Sequence, residues 1–409
     1  MRFLIPLAFL LVGEYYAFQL FLHFYRTTTS TWKATSLGIY LTLTAIEVIY
    51  IICLFTNLND QFPKPLNSIW GALTFIIILS KFVGGVFLFA DDLRRIGLWI
   101  IDKVGINHEF NAGRSTFLSK TALVFSSIPF LSLTWGMIRN PYNYKVFRLK
   151  LPIKNLSKDL EGFTIVQISD IHAGSFLFKE PIKRAVELIN IAQPDLVCFT
   201  GDLVNNKADE IEEYMDIFSA IKAPHGVYSV LGNHDYGNYV SWPSPEAKIA
   251  NMDQLKRNQA QMGWELLLNE HRLLEVGDST LAVIGVENQS ASKRFPQRGD
   301  LVHASEQTEQ ADFRLLLSHD PSHWNQEVTT AFKQIELTLS GHTHGMQFGI
   351  EIPGFIKWSP AKFLYKQWAG LYQNDGQSLY VNRGLGYLGY PGRVGIKPEI
   401  TVIELTKES

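Results

Sequence analysis

The sequence predicts a chain in two parts, an N-terminal region of four membrane-spanning helices and a following α/β domain. Three observations predict it. Long apolar runs fill the chain before Arg139, and the charged residues gather after it. Four of those runs approach the ~20 residues needed to cross a hydrocarbon core. Beyond Arg139, short runs rich in Val, Ile, Leu or Phe alternate with stretches that read as helices, the order of a parallel sheet covered by helices.

With 409 residues the chain is long enough for more than one domain. It is 46% hydrophobic and 19% charged with a net charge of −2, so no global charge points to nucleic acid, and none is expected as a partner. Cys53 lies in an apolar run and Cys198 in a core strand, which argues against a disulfide framework.

The first span, Met1–Tyr25, is almost entirely apolar, is interrupted by Glu14 and lacks the small-residue cleavage pattern of a signal peptide. Thr35–Leu58, Ile69–Ala90 and Phe117–Ile138 are the other three, and Pro63 and Pro65 mark a connecting loop. Glu14 and Glu47 fall inside spans, where a carboxylate is costly. Either they form a polar site within the bundle, or they are protonated or internally paired and help the helices associate. The second reading is preferred.

An even number of spans puts the N-terminus and the C-terminal domain on one side. The first and third loops carry Arg26, Lys33, Arg94, Arg95, Lys103 and Arg114, against Arg2 and Lys64 in the N-terminal tip and second loop. Basic short loops stay in the cytoplasm, so an integral protein of the cell membrane with its C-terminal domain outside is expected. Arg139, Lys145, Arg148 and Lys150 pull the other way.

The expected boundaries are a membrane region over 1–138, a connector over 139–160 and an α/β domain over 161–409. Val146–Leu151 reads as an edge strand before the core. Glu180–Ala192, Ala208–Ile221 and Ser244–Met262 read as helices, the last with Ser244 as its cap and Pro245 in its first turn. Leu281–Val286, Ser378–Asn382 and Ile400–Leu405 suggest a second sheet.

Five runs end in polar residues: Phe163–Ser169, Leu196–Thr200, Val227–Leu231, Phe313–Ser318 and Ile335–Ser340. The blocks at their ends are Asp170-Ile-His172, Gly201-Asp202, Gly232-Asn-His-Asp235, His319-Asp320 and Gly341-His342-Thr-His344. In an α/β sheet the carboxyl ends of the strands meet at one edge, where ligands bind. Carboxylate oxygens, imidazoles and one amide converging there suit Mn, Fe, Zn or Ni rather than Ca or a thiolate-loving metal. Singly, Asp-x-His or Gly-Asp after a strand is commonplace. Together and in this order they read as a two-metal hydrolase.

The five blocks, over roughly Lys145 to Ser409, resemble the signature of the calcineurin-like metallophosphoesterases. Phe199-Thr-Gly-Asp-Leu-Val204 and Asn382-Arg-Gly-Leu-Gly386 make the chain similar to that family's membrane-attached branch, which includes UDP-2,3-diacylglucosamine-pyrophosphatase-like enzymes of lipid A biosynthesis. The resemblance implies a four-layer α/β/β/α sandwich and two divalent metal ions, manganese among the candidates. Asp170, His172, Asp202 and His344 would hold one ion; Asp202, Asn233, His319 and His342 would hold the other, with Asp202 bridging. His234 would pass a proton to the leaving oxygen, oriented and charged by Asp235. One departure is Met346, where such relatives commonly carry a second glycine.

Other residues lie outside this pattern. His323 reads as structural, and His225, His271 and His303 as loop or surface residues. Asp320 is either a neighbour of the ligands or a turn cap. Arg383 and Arg393, among glycines, either reach phosphate bidentately or make loop ion pairs. The aromatic stretch Phe355–Trp368 reads as a hydrophobic rim facing lipid, or else as a covered loop. The leading functional expectation is a membrane-anchored phosphoesterase acting on a phosphate or pyrophosphate bond, plausibly lipid-linked. The alternatives are a phosphodiesterase for soluble nucleotides and a non-catalytic protein stapled by metals, and His234 beside Asn233 argues against the staple.

Overall fold

A computed structural model describes residues 4–105, 112–352 and 354–408, and Arg2 of the N-terminal tip lies outside them. The chain divides into two compact units, Met1–Gly136 and Met137–Ser409.

The first unit holds α1 (Leu4–Thr27), α2 (Ser30–Phe55), α3 (Lys64–Lys103) and α4, which starts at Ala112 and runs to Arg139. Among the described residues, three stretches are long and apolar enough to cross a membrane: Ser30–Phe55, Lys64–Lys103 and Gly113–Arg139. Helix α3 outruns the expected Ile69–Ala90. No proline lies between Ala90 and Lys103, and Arg94 pairs with Asp91 one turn back at 2.8 Å, a spacing that sustains a helix. Its 40 residues extend about 60 Å, about twice a hydrocarbon core.

Glu14 and Glu47 are internally paired. Lys81 of α3 donates to Glu47 Oε2 at 2.6 Å and also to the Glu14 carboxylate. Nothing in the sequence ties that lysine to those glutamates, because the three lie on different helices. Gly84 lets α3 approach α4: a Cβ there would stand 3.1 Å from the Ser126 Cβ. Small residues allow such contacts between helices in lipid.

The strands of the second unit are β1 (Lys145–Ile153), β2 (Thr164–Ile168), β3 (Leu196–Phe199), β4 (Val227–Ser229), β5 (Trp264–Leu266), β6 (Glu270–Val276), β7 (Ser279–Gly285), β8 (Phe313–Leu317), β9 (Leu337–Ser340), β10 (Ile350–Ile352), β11 (Ile356–Trp358), β12 (Gly370–Asn374), β13 (Gln377–Val381) and β14 (Glu399–Lys407). They form two six-stranded mixed sheets, ordered β1-β14-β2-β3-β4-β5 and β12-β13-β9-β8-β7-β6, and a separate hairpin, β10-β11. From β2 to β5 the pairing is parallel. Helix α5 (Lys179–Ile191), a helical stretch ending in α6 (Met215–Phe218), and α7 (Pro245–Gln261) make the crossovers.

Ser244 Oγ accepts the Ala247 N–H at 3.2 Å, so α7 begins at the expected cap. The stretch leading into α6 starts as a 3-10 turn over Ala208–Tyr214 instead of an α-helix. There the Glu210 carboxylate turns back to accept the N–H groups of Asn205, Asn206 and Lys207.

One expectation is corrected. Ile400–Leu405 does not join the second sheet. As β14 it lies in the first, parallel to β1 and antiparallel to β2. Its first five residues are all buried, which suits a central strand but cannot tell one sheet from the other.

Side chains alternate along the strands, so each sheet supplies two faces. Val166, Ile168, Val197 and Phe199 cluster with Ile182, Ile189 and Leu255. Ile165 and Cys198, one residue out of phase, cluster with Val283, Leu315 and Leu337 of the second sheet. Ala282, Ile284 and Leu316 turn the other way, onto Trp324, Val328 and Phe332. The polar blocks follow the carboxyl ends of β2, β3, β4, β8 and β9.

Candidate dinuclear metal centre

The strand ends place the expected groups in two clusters able to hold a cation, Asp170–His172–His344 and Asp202–His319–His342. In the first, His344 Nε2 lies 3.2 Å from Asp170 Oδ1 and 3.1 Å from His172 Nε2. In the second, His319 Nε2 lies 3.2 Å from Asp202 Oδ2 and 3.2 Å from His342 Nδ1. Asp202 Oδ2 also stands 3.5 Å from His172 Nε2, so one carboxylate oxygen faces both clusters.

The backbone is bent to bring them together. Asp170, His172, Asp202, His342 and His344 all adopt positive φ, between 47° and 70°. Such conformations are costly for residues with a Cβ and concentrate at functional sites. Two glycines are required by close approach. A Cβ on Gly232 would collide with the Asp202 carboxylate, and one on Gly341 with Ser169 and Asp170. Met346 also takes a positive φ of 50°, the backbone a glycine accepts without strain.

Neighbouring groups set which ring nitrogen faces inward. His319 Nδ1 donates to the Thr200 carbonyl at 2.7 Å, leaving Nε2 toward Asp202. His342 Nε2 meets the Tyr365 hydroxyl at 2.7 Å, leaving Nδ1 inward. Asn233 Nδ2 donates to the Tyr239 hydroxyl at 2.9 Å, and among the described residues its buried Oδ1 has no partner. An oriented amide with an orphaned buried oxygen is the arrangement a cation ligand needs.

The charge states also fit. Desolvation works to raise the carboxyls of Asp170 and Asp202. The adjoining histidines nevertheless hold both below the usual carboxylate range. Desolvation pushes His172 down to about 3, leaving a neutral imidazole. Desolvation opposes charge on His319 as well, yet Asp202 and Asp170 raise it to about 10. The ionised carboxylates thus create a field that favours a cation, and His319 gives up its proton when it binds a metal.

His234 sits beside the clusters and outside both. Its Nδ1 donates to the Asn205 carbonyl at 2.8 Å, and its ring meets the His172 ring edge-on at 5.0 Å. The expected contact with Asp235 is absent. Asp235 instead accepts four backbone N–H groups, those of Asp202, Leu203, Val204 and Gly232. A buried carboxylate beneath two turns serves their donors before it can serve a side chain on the far side. Desolvation and Asp202 push the Asp235 carboxyl up to about 7 against those donors.

Of the two readings left open for Arg383 and Arg393, the structure favours the structural one over phosphate binding. Arg383 is buried and ion-paired with Glu399 and Glu351. Arg393, also buried, donates Nε to the Gly386 carbonyl at 3.1 Å, and its Nη2 lies 3.3 Å from His344 Nδ1. Neither lines the cavity over the clusters, so glycine-rich surroundings here mark buried turns rather than an anion cradle. His323 is structural as expected, bonded to Ser318 and Glu327. Asp320 caps the Ser322 N–H at 2.8 Å and stands 3.6 Å from His342 Nε2.

That cavity, of about 230 Å³, is floored by His172, Asp202, Asn233, His234, His342 and His344 and walled by Phe295, Met346, Leu364, Tyr365 and Leu388. Phe295 packs edge-on to the His342 ring at 4.7 Å. Sequence reasoning missed Asn205, Tyr239 and Phe295. The Asn205 contact is a backbone carbonyl and carries no residue signal, and Tyr239 and Phe295 lie in loops without a pattern. Tyr365 was placed in the aromatic rim, but its hydroxyl points inward to His342.

Comparison with known proteins agrees with this geometry. Residues 1–141 match a family model described as "Probable Calcineurin-like phosphoesterase, transmembrane domain", and residues 163–346 match "Calcineurin-like phosphoesterase". The chain is 31% identical over 248 residues to "Uncharacterized metallophosphoesterase YkuE" of Bacillus subtilis, covering 60% of this chain and 79% of that one. It is 28% identical to "Transmembrane protein with metallophosphoesterase domain" of Danio rerio, covering 66% of this chain and 59% of that protein. A Helicobacter pylori metallophosphoesterase is 26% identical, with 98% of each chain covered.

Proposed function

Because the chain belongs to the calcineurin-like phosphoesterase family, as a metal-dependent hydrolase with a membrane domain, we propose that it cleaves a phosphate ester or pyrophosphate bond in a lipid-linked substrate. The observation that carries the site assignment is the convergence of two ligand clusters on one oxygen of Asp202 beneath a single cavity. We assign Asp170, His172, Asp202 and His344 to one divalent ion, and Asp202, Asn233, His319 and His342 to the other. Mn, Fe, Zn and Ni suit these donors. When bound, such a pair supplies Lewis-acid stabilisation of phosphoryl oxygens and an activated water.

The chain's own residues do the rest. Tyr239 and Tyr365 orient Asn233 and His342. The Asn205 carbonyl holds His234 Nδ1, so Nε2 is the atom that hands a proton to the leaving oxygen. Asp235 acts through the backbone, fixing the turns that present Asp202 and Asn233.

Phe295, Met346, Leu364 and Leu388 give the cavity apolar walls, which supports a substrate with a lipid part; a diacylated sugar nucleotide requires the catalytic domain to face the cytoplasm. The finer architecture follows the same reading: four spans, a four-layer α/β/β/α domain, and boundaries at 1–138, 139–160 and 161–409. The basic first and third loops support a catalytic domain outside the cytoplasm.

The test is turnover by the purified full-length protein with Mn²⁺ on lipid-linked and on soluble nucleotide phosphates. Faster cleavage of the lipid-linked set is expected. Equal or faster cleavage of soluble nucleotides overturns the substrate assignment while leaving the phosphoesterase intact.

A further inference from the structure

We infer that the hairpin β10-β11 and the loop that follows it dip into a lipid bilayer beside the metal cavity. The inference rests only on the chain's being a membrane protein and not on the substrate proposed above.

The hairpin is built with its polarity reversed. Its register pairs Ile350 with Trp358, Glu351 with Lys357 and Ile352 with Ile356. Residues opposite one another share a face, so one face is apolar and the other charged. In water the apolar face of a hairpin turns to the body of the protein. Here the charged face does so. The Glu351 carboxylate pairs with buried Arg383. The Lys357 ammonium reaches the Ala369 carbonyl and lies 5.3 Å from the Trp368 ring centre, although the residue as a whole is exposed. Desolvation lowers the Lys357 pKa, as expected of an ammonium drawn inward.

What is left outside is hydrocarbon. Ile350, Ile352 and Ile356 are about half exposed, and Phe355 at the tip is 88% exposed. The next loop adds Phe363, 74% exposed, and Leu364, 69% exposed. Single exposed apolar residues need no explanation, but six large ones exposed within fifteen residues mark a contact surface.

Charge selects the bilayer over a protein partner. Glu351 is the only acidic residue between 350 and 366, and it is turned inward. Lys362 and Lys366 are exposed beside the apolar group. Among the described residues of 350–366 the exposed side chains are apolar residues and lysines with no acid turned outward, a combination that complements acyl chains beneath anionic headgroups. Met346 and Leu364 carry the apolar surface on into the cavity wall.

The experiment uses the full-length chain in nanodiscs of phosphatidylcholine and phosphatidylglycerol. Phe355→Cys carries an environment-sensitive fluorophore, Lys256→Cys on the exposed side of α7 is the control, and the native Cys53 and Cys198 are buried. Brominated acyl chains should quench the label at 355 several-fold more than the label at 256, and aqueous iodide should do the reverse. Equal quenching at both positions by brominated lipid overturns the inference. So does a label at 355 shielded from both quenchers, since a second copy or another protein would then cover the hairpin. No turnover is read, so failure here is separate from failure of the phosphoesterase assignment.

Discussion

Replacing His234 separates a proton donor from a metal ligand. His234 belongs to neither cluster, and its Nδ1 is committed to the Asn205 carbonyl at 2.8 Å. In His234→Ala every proposed ligand keeps its hydrogen-bond partners and only the edge-on ring contact with His172 is lost, so both ions should remain at wild-type stoichiometry by elemental analysis. Loss of a positioned acid typically costs roughly 10²–10⁴-fold in rate, which is about 3–5 kcal/mol of transition-state stabilisation. The loss should depend on the leaving group. It should approach the upper end for an alkyl phosphodiester and shrink toward the lower end for a nitrophenyl ester, whose departing oxygen scarcely needs a proton. The assay is initial rate on the two esters with Mn²⁺ beside metal content of the same sample. A metal-depleted variant, or an equal loss on both esters, rules out His234 as the proton donor.

Two further predictions use the contacts of Asp235 and Arg383, and a third tests the topology. In Asp235→Asn, an NH₂ group replaces an oxygen that faces two backbone donors. At about 1–3 kcal/mol for each unsatisfied buried donor, stability should fall by about 2–6 kcal/mol, and thermal unfolding of the purified variant measures it; unchanged stability with a rate defect alone would restore a direct role on His234. Arg383→Met should lower thermal stability by leaving Glu399 buried without its partner, and the fraction that folds should keep its KM, whereas a raised KM at normal stability would return Arg383 to the phosphate. An alkaline phosphatase fused after Ser409 should be active and a cytoplasm-dependent fluorescent reporter dark, and the opposite pair of results would place the catalytic domain inside.

Much of the site was legible because its residues sit at strand ends, where a break in apolar periodicity and a glycine announce a ligand-bearing turn. Asp170, Asp202, Asn233 and His342 were all found that way. Asp235 was misread and Arg383 left open for one physical reason: their partners, four backbone N–H groups and Glu399, are set by tertiary approach and not by spacing along the chain. The β14 strand shows the same limit, since a buried run announces a strand without saying which sheet receives it. Lys81 between Glu14 and Glu47 is a third case. The hairpin differs, because an apolar stretch at 350–358 reads alike whether it faces the core or solvent. Only the inward turn of Glu351 and Lys357 tells the two apart.

At the centre of the proposed mechanism, two ions share one carboxylate. Asp202 Oδ2 faces His172 at 3.5 Å and His319 at 3.2 Å, while Oδ1 accepts the His234 N–H at 2.8 Å. Asp202→Asn keeps the size of the side chain and removes the charge, so it should bind fewer than two equivalents of metal and lose measurable hydrolysis. Elemental analysis of the purified variant after equilibration with Mn²⁺ is the direct measurement. Two equivalents retained at near-normal turnover would contradict a bridging Asp202.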